Sequence, residues 1–180
     1  MADVSVRPAR PGDAAGIARV QGAVWSHVYA GVLPADVLTG VAGEQGVAVW
    51  DGAIGTLAAD RNRLLVALDG ERVVGVAAVA PATDPDLVPR LDAELHVFCV
   101  DPEEEGSGHG SRLLNATADV TREAGFDHLH TWLGEPERGL RTFLEGSGWE
   151  TDGATRALDL RGDAEVVVEQ VRLRTTVGDP

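Results

Sequence analysis

The segment from Glu94 to Leu114 constrains the fold more than any other. Residues Glu94 to Val100 (ELHVFCV) have the near-continuous apolar end of a strand buried on both faces. Asp101 and Pro102 stop that strand. An acidic run, Glu103-Glu104-Glu105, leads to Gly106, Gly108 and Gly110, and a helix is predicted from Ser111 to Ala124 with Gly125 as its cap. Its inward residues would be Leu113, Leu114, Thr117, Val120, Thr121 and Ala124. A strand feeding a glycine-rich turn and then a helix presents backbone N–H groups at the positive end of the helix dipole, a place for phosphate. Glycines matter there because side chains would block a pyrophosphate. Taken alone, the turn is also what any flexible βα connection looks like. A Walker-type loop does not fit, because no Gly-Lys-Ser/Thr follows. A dinucleotide fingerprint fits poorly, because the glycine spacing differs and a hairpin meander precedes it.

That meander is read upstream. Leu64 to Leu68 is a strand, Asp69-Gly70 a two-residue hairpin signal, and Val73 to Val79 the return strand. Val4 to Arg7 reads as a first short strand. Pro11-Gly12-Asp13 opens a helix whose apolar positions, Ile17, Val20, Val24 and Val28, share one face. A short helix follows from Pro34 through Leu38, and residues 44–59 read as helical around Val47, Trp50 and Ile54. Residues 81–92 read as loop. Downstream come a strand at His128 to Leu133, a helix at Glu137 to Glu145, and strands at Thr155 to Leu160 and Glu165 to Leu173 joined by the turn Arg161-Gly162-Asp163. The class is α/β of the mixed α+β kind: an antiparallel meander, then a parallel βαβ crossover through the Ser111 helix. The 180 residues suit one domain, 1–180.

Formal net charge is -14, from 29 acids against 15 bases, and every base is arginine. Such a balance argues against nucleic acid and against an anionic membrane face as partners. It favours a cationic or amine-bearing substrate, although solubility alone accounts for it as well. The start, MADVSVRPARPGD, has no apolar stretch of signal-peptide type. No apolar run approaches the roughly 18 residues of a membrane span. The single cysteine, Cys99, leaves no internal disulfide framework, and the expected location is the cytoplasm.

On these residues the sequence resembles the GNAT acetyltransferases, whose motif is Arg/Gln-x-x-Gly-x-Gly/Ala after a strand. Glu105, Gly108 and Gly110 fall on it, with Val100-Asp101-Pro102 before and Arg112-Leu113-Leu114 after. Glu137 to Trp149 is similar to the family's Asn-x-x-Ala-x-x-Phe-Tyr-x-x-x-Gly-Phe segment, and Trp25-x-x-x-Tyr29-x-Gly31-x-Leu33-Pro34 is similar to one bacterial branch. The resemblance implies a three-layer fold around a central mixed, mostly antiparallel sheet. It also implies acetyl-CoA as co-substrate, lying where the Glu94–Val100 strand splays from the His128–Leu133 strand. Pantetheine would pair with backbone groups of Phe98 and Val100, beside Cys99, and the pyrophosphate would sit on N–H groups from Gly106 to Ser111. The implied cofactor set is Phe98, Cys99, Val100, Glu105, Gly106, Ser107, Gly108, His109, Gly110, Ser111 and Arg112. The implied reaction is N-acetylation by direct attack of a primary amine, on a small molecule or a protein N-terminus, and homodimers are common in the family.

Three positions depart from the pattern. Glu105 replaces the usual Arg/Gln, Glu137 the usual Asn, and Leu144 the tyrosine proposed as general acid. An alternative reading is therefore a catalytically impaired acyl-CoA-binding sensor. Glu94 is a candidate base or a solvent-facing strand-start residue, and His96 is a second candidate base or a structural histidine. His109 suits phosphate contact or packing beneath the loop. Trp25 and Tyr29 are candidate acceptor-pocket residues, with helix packing the plainer role for Trp25. His128 and His130 share a strand face but lack a third ligand, so no metal site is expected.

Overall fold

A computed structural model describes residues 4–56, 61–160 and 166–178. Its strands are β1 (Val4–Pro8), β2 (Arg63–Asp69), β3 (Arg72–Pro81), β4 (Asp92–Val100), β5 (His128–Gly134), β6 (Glu150–Asp159) and β7 (Val167–Thr176). Its helices are α1 (Ala14–Val28), α2 (Ala35–Ala42), α3 (Glu44–Thr56), α4 (His109–Glu123) and α5 (Arg138–Gly146). The strands form one seven-stranded sheet in the order β1-β2-β3-β4-β5-β7-β6. Only β4 and β5 run parallel, joined by the α4 crossover; the other pairs are antiparallel.

Helices cover both faces. On one, Ile17 and Val20 of α1 and Trp50 of α3 pack with Val66, Val76 and Cys99. On the other, Leu113 and Leu114 of α4 and Leu144 of α5 pack with Ala77, Leu95, Phe98, Leu129 and Leu173. The apolar stripe read in α1 is the stripe it buries, with Ile17 and Val20 at 0% exposure.

Several boundaries differ from the sequence reading. The hairpin register pairs Asp69 with Arg72, so the loop is Gly70-Glu71, one residue later than read. Gly70 supplies the positive φ, +60°, that a tight hairpin turn needs. α2 runs on to Ala42 because it lies directly on α1: a Cβ at Gly22 would come within 2.4 Å of the Ala42 Cβ. β6 begins at Glu150, well before Thr155, because Glu150 and Thr151 pair with Arg174 and Leu173 before the ladder shifts register. Gly153, at φ +90°, sits in that shift. α4 starts at His109 rather than Ser111, with Gly108 as its N-cap residue. The turn expected at Arg161-Gly162-Asp163, Glu165 at the start of the last strand, and residues 57–59 of the 44–59 helix lie outside the described residues.

One irregularity shapes the centre of the molecule. In the β3–β4 ladder Ala78 pairs with Val97 but Val79 pairs with Leu95, so β4 carries one extra residue, His96. Such a bulge bends and twists its strand.

The α1–α2 contact has a direct check. Gly22→Ala adds about 1 kcal/mol of helix propensity but drives a methyl group into Ala42. The overpacking cost of about 1–3 kcal/mol should exceed that gain. The melting temperature is expected to fall by a few degrees, and a rise would show that the helices can separate freely.

Candidate active site

The parallel ladder between β4 and β5 is short. It joins Asp92, Ala93 and Glu94 to His128, Leu129 and His130. The Thr131 hydroxyl donates to the Leu95 carbonyl at 2.9 Å, closing the apex. Beyond it the strands part, and the bulge at His96 lies where β4 turns away. The Asp101 N–H donates to the Val74 carbonyl at 2.8 Å. By strand alternation Cys99 also faces β3, while the N–H and C=O groups of Phe98 and Val100 face the opening. Interior strand groups left in this way call for a partner. A chain carrying amides and lying along β4 would satisfy them.

The open strand ends in a fastened turn. Buried Asp101 accepts from Arg19 of α1 at 2.7 Å and from the Glu103 N–H at 3.2 Å. Burial pushes its carboxyl up, but these bonds and the nearby Arg72 outweigh that and hold it below the usual range. Glu104 pairs with Arg72. Gly106 and Gly108 take φ values of +79° and +83°. The Arg112 N–H donates to the Gly108 carbonyl at 3.2 Å, so the N–H groups of His109, Gly110 and Ser111 have no partner within α4. A Cβ at Gly106 would meet nothing within 4 Å. These features fit an anionic, phosphate-bearing group.

The predicted residues separate into those at the opening and those beneath it. Glu105, Gly106, Ser107, Gly108, Ser111 and Arg112 are exposed. Phe98 stacks on Phe143 of α5 at 5.9 Å. His109 is 2% exposed and lies beneath the loop, its Nε2 3.7 Å from Glu104. Cys99 turns its backbone to β3 and its thiol into the α1 side of the core, where burial pushes the thiol up to about 12. Glu94 sits at the apex, 8% exposed, with His96 Nδ1 3.3 Å from its Oε1. Trp25 and Tyr29 lie 5.3 Å apart at the end of α1. Leu144, at the position of the family's tyrosine, is 0% exposed and belongs to the α4–α5 core.

A polar network that sequence reasoning missed lines the α1-side face of β5 and β7. Arg172 donates to Asp152 at 2.7 Å and to Asp86 at 2.9 Å, and reaches Asp84 at 3.3 Å. Trp132 Nε1 also donates to Asp84, at 2.8 Å, so the 82–91 loop is tied down over this face. His130 shares Asp92 with the Val88 N–H. The alternation of His128, His130 and Trp132 was visible in the sequence; their carboxylate partners come from distant segments. No group of three or more residues suited to a metal ion occurs among the described residues. No helix among them is long and apolar enough to cross a membrane.

The family model described as "Acetyltransferase (GNAT) family" matches residues 39–148. No curated protein matches the chain. Among solved structures, the PaiA N-acetyltransferase from Thermoplasma acidophilum in complex with coenzyme A superposes with a TM-score of 0.75 at 14% identity, over 97% of this chain and 99% of that one. The yncA structure from Salmonella typhimurium, with its cofactor acetyl-CoA, gives 0.71 at 16%, over 99% and 96%. The ribosomal-protein-alanine N-acetyltransferase from Brucella melitensis gives 0.71 at 18%, over 96% and 99%. At these identities the likeness is one of fold.

The Arg172 network predicts a pH signature. The bond to Arg172 holds Asp86 down to about 2, so its stabilisation is present above the unfolded carboxylate value near 3.9 and is lost as pH falls through the folded one. Arg172→Met should lower stability and Tm at neutral pH, because it leaves the carboxylates of Asp84 and Asp152 without their cation. That difference should shrink as pH falls towards the folded Asp86 value. A pH-independent difference would mean that Arg172 acts through packing alone.

Proposed function

Because the chain belongs to the GNAT family of acetyltransferases, we propose that it moves the acetyl group of acetyl-CoA to a primary amine by direct attack in a ternary complex, as one domain spanning residues 1–180. The observation that carries this reading is the continuous path from the open backbone of Phe98 and Val100 into the Gly106–Ser111 turn. Phe98 and Val100 pair with the pantetheine amides, and the N–H groups of the turn and of α4 take the pyrophosphate. Side chains of Glu105, His109 and Arg112 border that site, His109 from below. Cys99 supports β4 from the other face.

The acceptor enters from the α1 side, between Trp25 and Tyr29 and the carboxylate-rich face of β5 and β7. It is a small-molecule amine or a protein N-terminus. Glu94, with His96 beside it, draws the ammonium to the apex and removes the proton that blocks its lone pair. Holding amine and thioester together supplies much of the rate. The lone, buried cysteine suits a cytoplasmic setting. A second reading, an acyl-CoA-binding sensor, is favoured by one observation: Leu144 is core and offers no proton. An amine panel with acetyl-CoA, followed by thiol release, separates the two.

CoA at about 100 times its Kd should stabilise the protein by roughly 2.7 kcal/mol. Gly108→Asp, which puts a carboxylate at the loop on a backbone of φ +83°, should abolish that gain while circular dichroism still reports a folded chain. Glu105→Arg should tighten CoA several-fold at low salt and less at high salt, because the gain is electrostatic. No calorimetric or thermal response to millimolar CoA in the wild type would contradict the cofactor assignment.

A further inference from the structure

With 29 acids against 15 bases, an arginine that is held in place yet meets no carboxylate stands out. Arg7, Arg19, Arg72, Arg138 and Arg141 each pair with an acid. Arg61 spends its N–H groups on the carbonyls of Ala124 and Arg90. Arg156 of β6 does neither. Its Nε donates to the Oε1 of buried Gln170 at 2.8 Å. Its guanidinium carbon lies 4.4 Å from the centre of the Trp132 ring. Both Nη groups are left without a partner among the described residues. Glu137 feels the charge of Arg156 but forms no ion pair with it.

The place of that guanidinium is set by the indole beneath it. Trp132 follows Thr131, whose hydroxyl closes the apex where β4 and β5 part. The ring is pinned by Asp84, which accepts from Nε1 at 2.8 Å. Two arginines flank it. Arg172, at 5.3 Å, is saturated by Asp84, Asp86 and Asp152. Arg156 has donors to spare. It thus offers a cation just past the apex, on the α1-side face from which the acceptor enters. With Nε engaged, the two Nη groups form a fork that matches a carboxylate through two parallel bonds.

The spacing to the apex carboxylate is short. Glu94 pairs with His130, two residues before Trp132, which is about 7 Å along a strand. That interval, with a hydrogen bond at each end, suits an amine and a carboxylate a few bonds apart. We infer that the acceptor is an amino acid, with its ammonium at Glu94 and its carboxylate on the Arg156 fork; this narrows, and rests on, the transferase reading above. The remaining carboxylates of this face repel an anion that brings no cation of its own, and a zwitterion brings one.

The test is thiol release from acetyl-CoA with α- and ω-amino acids, each run beside its own carboxamide. The carboxamide keeps the amine and the size and removes the charge. At least one amino acid should exceed its carboxamide by about 10-fold or more in kcat/KM, chiefly through KM. Arg156→Gln should bring that ratio close to one. Arg156→Lys, which keeps the charge without the fork, should leave it in between. Wild-type ratios near one overturn the inference. So does Arg156→Gln if acid and carboxamide fall together and the ratio stands, which would mark a residue that only supports Trp132. If circular dichroism shows Arg156→Gln unfolded, Arg156→Lys decides, and an unchanged ratio there overturns the carboxylate site. Simple amines that react while no amino acid does also overturn it, and leave the transferase reading standing. Binding of CoA with no thiol released by any amine or amino acid overturns the transferase reading and this inference with it.

Discussion

His96 is one residue too many for the ladder between β3 and β4. To keep pairing with β3 on both sides of it, β4 has to bend, and beyond Glu94 it no longer pairs with β5. A sheet normally satisfies every interior backbone group. Here the middle of a seven-stranded sheet leaves Phe98 and Val100 facing an opening, and the features around it serve that opening. α4 begins at its end with a turn built on Gly106 and Gly108. Arg19 reaches across from α1 to grip Asp101, where the open strand stops. The helices on the two faces hold β4 in place while its edge stays free.

Charge is distributed to match. The net charge of -14 is not spread as a uniform solvated coat. Asp84, Asp86 and Asp152 are gathered around Arg172, and Asp92 around His128 and His130. Their acidity is absorbed in holding the 82–91 loop over the sheet. Glu94 stands apart from that network, at the apex of the opening. The bias against anions at this face suits an incoming ammonium, and the glycine turn on the other side of β4 suits an anion. The two halves of an acyl transfer would thus be drawn to opposite sides of one strand.

Much of this architecture was legible in the residues. The apolar run before Asp101-Pro102, the glycines at 106, 108 and 110, and the helical period from Leu113 to Thr121 placed β4, the turn and α4 within two residues of where they lie. The stripe of Ile17 and Val20 placed α1. The misses have local causes. Gly153, at positive φ, sits where the β6–β7 ladder shifts register, and the length of α2 depends on Gly22, a residue of another helix. Site chemistry was less legible. Arg172 meets carboxylates from two separate segments, the 82–91 loop and β6, which no local pattern reveals. Glu137 was visible only as a departure from asparagine, and the bond its carboxylate accepts from the Gly134 N–H is a property of the folded chain.

Amide hydrogen exchange with and without CoA tests the central claim most directly, because that claim concerns backbone N–H groups. The opening predicts that CoA slows exchange at Phe98 and Val100 and at the turn from Gly108 to Ser111, while Cys99 and Asp101, already paired with β3, change little. Protection confined elsewhere, such as along the side of α4 from Asn115 to Arg122, or no new protection at saturating CoA, would contradict it.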